Sequence, residues 1–211
     1  MVSRAWVRVI VTILAATRTE ARAAHKCASA QNAPDRVRVI EAGIALAKQT
    51  DVGDVVISCG LAGGLRDDLP TGTVLIPSRV RRPDGTEFEC DEVLVQRLQA
   101  TAHSLGHAAI SDPLVTSATF VHGAERSRWA AQGYAGVDME TGQLHAPRVA
   151  CVRVVLDTPK REISPAWLRP ATAMLNARAW LDLPFLIREG PRCSRIAACI
   201  AAYAAAALCK D

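Results

Sequence analysis

The run "DVVIS" (54–58) constrains the fold more than any other segment. After Asp54 it is apolar at successive positions, with no polar alternation. Such a run suits a strand covered on both faces, as in a sheet sandwiched between other layers. Three glycines follow (Gly60, Gly63, Gly64), then an acidic turn and a second apolar run, "TVLIP". Backbone without Cβ atoms admits another group at close range. The expectation is a glycine loop at a strand end, with another group lying close against residues 60–64.

The rest of the chain extends the alternation. A first strand is predicted over about 6–14, and "ATRTEARAA" opens a helix. "NAPDRVRVIEAGIALAKQ" is predicted to be a helix with Asn32 as N-cap and Pro34 in its first turn. "TVLIPSRVRRPDGTEFEC" reads as strand, turn at Pro83-Asp84-Gly85, strand. "DEVLVQRLQATAHSLG" is a helix ending near Gly106, "LVTSATFV" a strand, and "GAERSRWAAQG" a short helix. "PRVACVRVVLDT" is a second buried strand, and the chain is mostly helical from about Pro165. Strands alternating with helices predict an α/β fold: a single-domain three-layer α/β/α sandwich over 1–211, with a mixed central sheet.

Composition narrows the function classes. With 50% hydrophobic and 22% charged residues among 211, the chain is globular rather than disordered. The net charge of +4 is spread along the chain without a basic cluster or a nucleic-acid module, so no nucleic-acid partner is expected. Seven scattered cysteines without a CxxC pair predict free thiols in a reducing, cytoplasmic setting, neither a disulfide frame nor a zinc site. "WVRVIVTILAA" is interrupted by Arg8 and reads as a strand rather than a leader. "RIAACIAAYAAAALC" falls short of the roughly 20 residues of a bilayer span and reads as a packed helix. With Arg188, Arg192 and Arg195 it is also the one candidate for a peripheral membrane contact.

In α/β sheets, ligands sit beyond the carboxyl ends of strands. The residues there are Thr17, Arg18 and Glu20; Gly60, Leu61, Ala62, Gly63 and Gly64; Phe120 and Val121; Asp138, Met139 and Glu140; and Asp157 and Thr158. Acidic groups from three segments, a glycine cluster and an aromatic ring make a pocket for a polar, flat-ringed ligand. "ISCGLAGGLRDDLPTGTVLIP", "GVDMET" and "VRVVLDT", in this order and spacing, resemble the purine nucleoside phosphorylase and methylthioadenosine/S-adenosylhomocysteine nucleosidase superfamily. "ISCGLAGGL" with "RPDGTEFECD" is most similar to its hopanoid-associated branch. The resemblance covers most of residues 7–158.

That resemblance implies cleavage of the N-glycosidic bond of an adenosine-type, 5′-modified nucleoside by a homodimer. No metal or organic cofactor is implied, and inorganic phosphate is the co-substrate only if the reaction is phosphorolysis. By resemblance Asp157 is the acid that protonates the purine. Glu140 takes the sugar hydroxyls, with Met139 on the ribose face. Glu20 orients the nucleophile. Phe120 stacks on the base and the Val121 backbone bonds its edge.

Ser58 and Leu61 stand where phosphorylases of this family often carry an Arg and a hydroxyl residue. That favours hydrolysis, with Arg18 as an alternative phosphate ligand. Taken alone, Glu20 also reads as a solvated helix residue, Glu140 as a helix N-terminal carboxylate and Asp157 as a turn residue. A non-catalytic nucleoside-binding protein on the same fold is the second reading. His103 and His107 are four apart on a predicted helix but lack the Glu of HExxH, and read as surface residues.

Overall fold

The computed structural model describes residues 10–31, 35–46, 51–168 and 176–209. Ten strands form one mixed sheet. β1 (Val11–Ala15), β3 (Val55–Gly64) and β10 (Arg148–Val155) are its parallel centre, with β2 (Val37–Glu41) beside β1. β4 (Val74–Leu75) runs antiparallel to β10 and carries β7 (Ala109–Ile110). β5 (Arg79–Arg81), β6 (Glu87–Glu89), β8 (Leu114–Thr116) and β9 (Gly136–Asp138) form a second wing. That wing joins the first only where β9 pairs antiparallel with Gly63 and Gly64 of β3.

β3 therefore belongs to both wings. Its first eight residues pair with β10 and its last two with β9. The run expected to end in a loop stays extended through the whole glycine cluster, because a partner strand awaits each part of it. Its face alternation sets the two main cores. Val55, Ile57 and Cys59 join the larger core with Val11, Ile13 and Ala15, while Val56 packs with Leu14, Ile40, Leu144 and Val149 in the other.

Helices α1 (Arg18–Ala30), α2 (Glu92–Ser104) and the long α5 (Leu183–Leu208) pack together over the larger core. α3 (Ala124–Ala131) carries Trp129, which meets Tyr134 edge-on at 5.6 Å; the short α4 (Ala177–Trp180) precedes α5. The small side chains at Ala197, Ala198, Ala201, Ala202, Ala204 and Ala205 are fully buried. Alanine keeps helix propensity while letting the helix lie close on the sheet. The alanine-rich half of α5 is thus largely core. Arg188, Arg192 and Arg195, further toward its start, are exposed. No helix among the described residues is long and apolar enough to cross a membrane.

Three expectations need correction. Residues 37–41 form a strand rather than part of a helix, because "VRVIE" pairs in parallel along the open side of β1, with Val37 and Ile40 buried. Asn32 and Pro34 lie outside the described residues, as do 6–9 of the first strand. "LVTSATFV" leaves the sheet after Thr116, where its pairing with β9 ends at Asp138. Cys27 of α1 and Cys199 of α5 form a disulfide across 172 residues, since packing of the two helices brings their Cα atoms to 5.3 Å. The absence of a CxxC pair gave no hint of it. Cys59, Cys90, Cys151 and Cys193 remain as buried thiols.

Because α5 is core, Ala201→Leu should overpack its contact with the sheet and cost about 1–3 kcal/mol. Urea unfolding checks this, and an unchanged midpoint would place the helix elsewhere.

Candidate functional site

A cavity of about 190 Å³ opens where β3 passes from one wing to the other. Its wall is built from Thr17, Glu20, Leu61, Ala62, Gly63, Phe120, Val121, Met139, Glu140 and Asp157, together with Arg126, Asp138 and Arg153. Glu20, Leu61, Ala62, Gly63, Phe120, Val121, Met139, Glu140 and Asp157, all expected at the site, thus share one cavity. Gly60 does not line the wall.

The reason is steric. A Cβ on Gly60 would lie 2.5 Å from Arg153 Nη1 and 2.8 Å from Glu20 Oε1. Gly60 faces Arg153 directly in the β3–β10 register. The missing side chain therefore makes room for the protein's own guanidinium and carboxylate, not for a ligand. Gly63 does the same beside a second pair, its Cβ position lying 3.3 Å from Asp157 Oδ1 and 3.4 Å from Arg126 Nη1.

Arg153 is 1% exposed. A buried guanidinium requires partners, and Nη2 has them: Ser58 Oγ and Thr141 Oγ1 at 2.8 Å each, Asp138 Oδ2 at 2.7 Å and Glu140 Oε2 at 3.5 Å. Its Nε is buried without a hydrogen-bond partner. Asp138 is fixed in turn by the Thr116 hydroxyl (2.6 Å), the Thr141 N–H (3.1 Å) and the Thr141 hydroxyl. Arg18, the alternative phosphate ligand, is exposed on α1 outside the cavity wall. The buried cations in the wall are Arg153 and Arg126 instead.

Glu20 is placed by the start of α1. Thr17 is the N-cap, and the Glu20 carboxylate accepts the Thr17 N–H and hydroxyl, both at 2.8 Å, completing a capping box. This satisfies one carboxylate oxygen, Oε2, and turns the buried group toward Gly60 and Arg153. Burial raises the proton affinity of Glu20, and the bonds from Thr17 oppose that. Glu140 follows β9 and accepts the Ala45 N–H at 3.2 Å. Ala45 is left-handed (φ 53°), a costly conformation for a residue with a Cβ, and it follows β2. Burial pushes Glu140 up to about 7, against the pull of Arg153 and with the push of Asp138.

Asp157 lies two residues past β10. It pairs with Arg126 of α3, which also donates to the Gly64 carbonyl at 2.7 Å. Burial raises the Asp157 carboxyl and Arg126 pulls against it. Phe120 and Val121 bring the apolar wall opposite, and Met139 is half-buried. Cys59 is wholly buried behind this wall and its thiol is pushed up to about 12 by burial, which leaves it unreactive. His122 is exposed. Among the described residues, no three His, Cys, Asp or Glu side chains are grouped to hold a metal ion.

Arg153 and Arg126 are the functional candidates that sequence reasoning missed. Arg153 had a signal: it is the sole charge inside the apolar run 149–156, where a strand covered on both faces demands a counter-charge. Arg126 had none, since "GAERSRWAA" reads as an ordinary polar helix.

The sequence family described as the phosphorylase superfamily matches residues 34–161. No curated protein matches the sequence. Among solved structures, the chain is similar to a 5′-methylthioadenosine/S-adenosylhomocysteine nucleosidase from Neisseria meningitidis in complex with methylthio-immucillin-A. The TM-score is 0.68 at 19% identity, covering 94% of this chain and 99% of that one. A Helicobacter pylori nucleosidase mutant with 5′-methylthioadenosine in its active site gives a TM-score of 0.67 at 14% identity, covering 91% and 96%. The futalosine hydrolase of Helicobacter pylori gives 0.65 at 15%, covering 92% and 95%. These likenesses agree in the mixed α/β fold.

Two outcomes follow from the geometry. Gly60→Ala should force Arg153 and Glu20 apart and cost about 1–3 kcal/mol, far above a surface Gly→Ala change; a neutral urea midpoint would contradict the packing. Glu140 holds its proton in the fold up to about 7, against 4.5 in the unfolded chain. The folded state therefore binds more protons between those values, and stability should fall as pH rises through that window. Glu140→Gln should flatten that slope in urea titrations, and an unaltered slope would contradict the raised proton affinity.

Proposed function

We propose that this chain, which belongs to the phosphorylase superfamily, cleaves the N-glycosidic bond of a purine nucleoside and releases the free base. One observation carries the reading: Glu20, Glu140 and Asp157, from three separate strand ends, share a single cavity with an apolar wall. The finer substrate we propose is an adenosine-type nucleoside with a modified 5′ position, as named for the similar nucleosidases.

The division of labour follows from the chemistry. As the C1′–N9 bond breaks, the ribose takes on oxocarbenium character and the base gathers negative charge. Protonation at N7 lets the base leave neutral. Asp157, whose proton affinity burial raises, supplies that proton. Glu140 accepts from the ribose hydroxyls, and Met139 lies on the apolar sugar face. Phe120 stacks on the purine and the Val121 backbone meets its edge. A water oxygen attacks C1′ and yields its proton to Glu20, whose orientation the capping box fixes.

Hydrolysis is the better reading. Glu20, Asp138 and Glu140 surround Arg153, so the nucleophile end carries more carboxyl groups than a phosphate anion would tolerate. Leu61, half-buried in the wall, offers no hydroxyl. The reaction as read requires no metal or organic cofactor. We also read the chain as a homodimer, with exposed Leu181 and Ile187 as apolar surface for a second copy.

The test is free-base release from methylthioadenosine, S-adenosylhomocysteine, adenosine and inosine, with and without phosphate, followed by chromatography. Release without phosphate is expected, with Asp157→Asn slower by about 10²–10⁴-fold, the usual worth of a general acid. Release only with phosphate would make the chain a phosphorylase. No release from any of the four would favour a nucleoside-binding protein on the same fold.

A further inference from the structure

Arg126 lies outside every motif that marks the site, yet it is 1% exposed and lines the cavity. It rises from the first turn of α3, three residues past the Gly123 cap, and reaches the β3–β9 seam. One terminal nitrogen donates to the Gly64 carbonyl at 2.7 Å and the other to Asp157 Oδ2. Its Nε lies 3.1 Å from Glu162 Oε1 but outside hydrogen-bond geometry, so that donor is buried and unsatisfied. Glu162 is anchored separately, by accepting the Gly123 N–H at 2.7 Å. A purely structural ion pair would not need a cavity wall, nor a glycine at 63 to accommodate it.

We propose that Arg126 is the positioning residue of Asp157: it clamps one carboxyl oxygen, leaves Oδ1 beside Gly63 for the base, and governs when that carboxyl can give up its proton. The assignment of Asp157 as the proton donor rests on the function proposed above; the clamp does not. The charged groups facing this carboxyl are Arg126 from α3 and Glu162 from the segment after β10. Glu20 and Arg153 stand at the other end of the cavity. Burial and Arg126 pull in opposite directions on Asp157, and Glu162 adds a smaller push upward. Removing the guanidinium leaves burial unopposed, so the carboxyl keeps its proton to higher pH. A guanidinium within contact distance lowers a carboxyl by about 1–3 pH units.

The experiment is carboxyl-carbon NMR of the full chain labelled at aspartate, titrated from acid to neutral pH, with Asp157→Asn assigning the signal. In Arg126→Gln the Asp157 midpoint should rise by about 1–3 pH units, and in Arg126→Lys by less. The alkaline limb of base release should move upward with it, which a merely structural role would not produce. A folded Arg126→Gln with an unmoved midpoint would overturn the proposal. If Arg126→Gln fails to fold, Arg126→Lys decides: it keeps the charge without the two-pronged contact, and the Asp157 midpoint should still rise. An unmoved midpoint there would overturn the proposal equally. If wild type releases no base while the midpoints move as expected, the clamp stands and the proposed function fails.

Discussion

The structure depends on one strand carrying two buried charges past each other. β3 joins both wings of the sheet, and at the junction it gives up its side chains at Gly60, Gly63 and Gly64. Arg153 fills the space above Gly60 and the Arg126–Asp157 pair the space beside Gly63. Burying a guanidinium is costly, and removing one partner of such a pair typically costs about 3–5 kcal/mol. The surrounding hydroxyls and carboxylates (Ser58, Thr141, Asp138, Glu140) offset that cost for Arg153. The same groups define the cavity wall, so stability and site are built from one set of contacts.

The two ends of the cavity divide along these charges. At one end three carboxyl groups, Glu20, Asp138 and Glu140, surround Arg153, and burial raises the proton affinity of Glu20 and Glu140. This suits a sugar and a neutral nucleophile. At the other end a single carboxyl is held by a single guanidinium against an apolar wall with Phe120 and Val121, which suits a flat base. The fold contributes the separation: Arg153 and Glu20 meet β3 at Gly60, and Asp157 and Arg126 meet it at Gly63, three residues further along.

Much of this was legible in the residues. The continuous apolar runs at 54–58 and 149–156 gave the buried centre of the sheet, and the strand-end rule brought Glu20, Glu140, Asp157, Phe120 and the residues 61–63 into one cavity. What escaped depends on contacts between distant segments. "VRVIE" carries apolar residues that satisfy a helical or an alternating period, and only the open edge of β1 decides between them. The Cys27–Cys199 bond follows from the packing of α1 on α5, which no local spacing encodes. The glycines were legible as points of close approach, but not what approaches them. That role falls to Arg153, whose charge within an apolar run was the available clue.

The most direct test of the site is a crystal structure of Asp157→Asn soaked with 5′-methylthioadenosine, the variant chosen to keep the nucleoside intact. The account expects the ribose hydroxyls on Glu140, the base between Phe120 and position 157, and the sugar against Ala62 and Gly63. A nucleoside bound outside this cavity, or an empty cavity at saturating nucleoside, would contradict it.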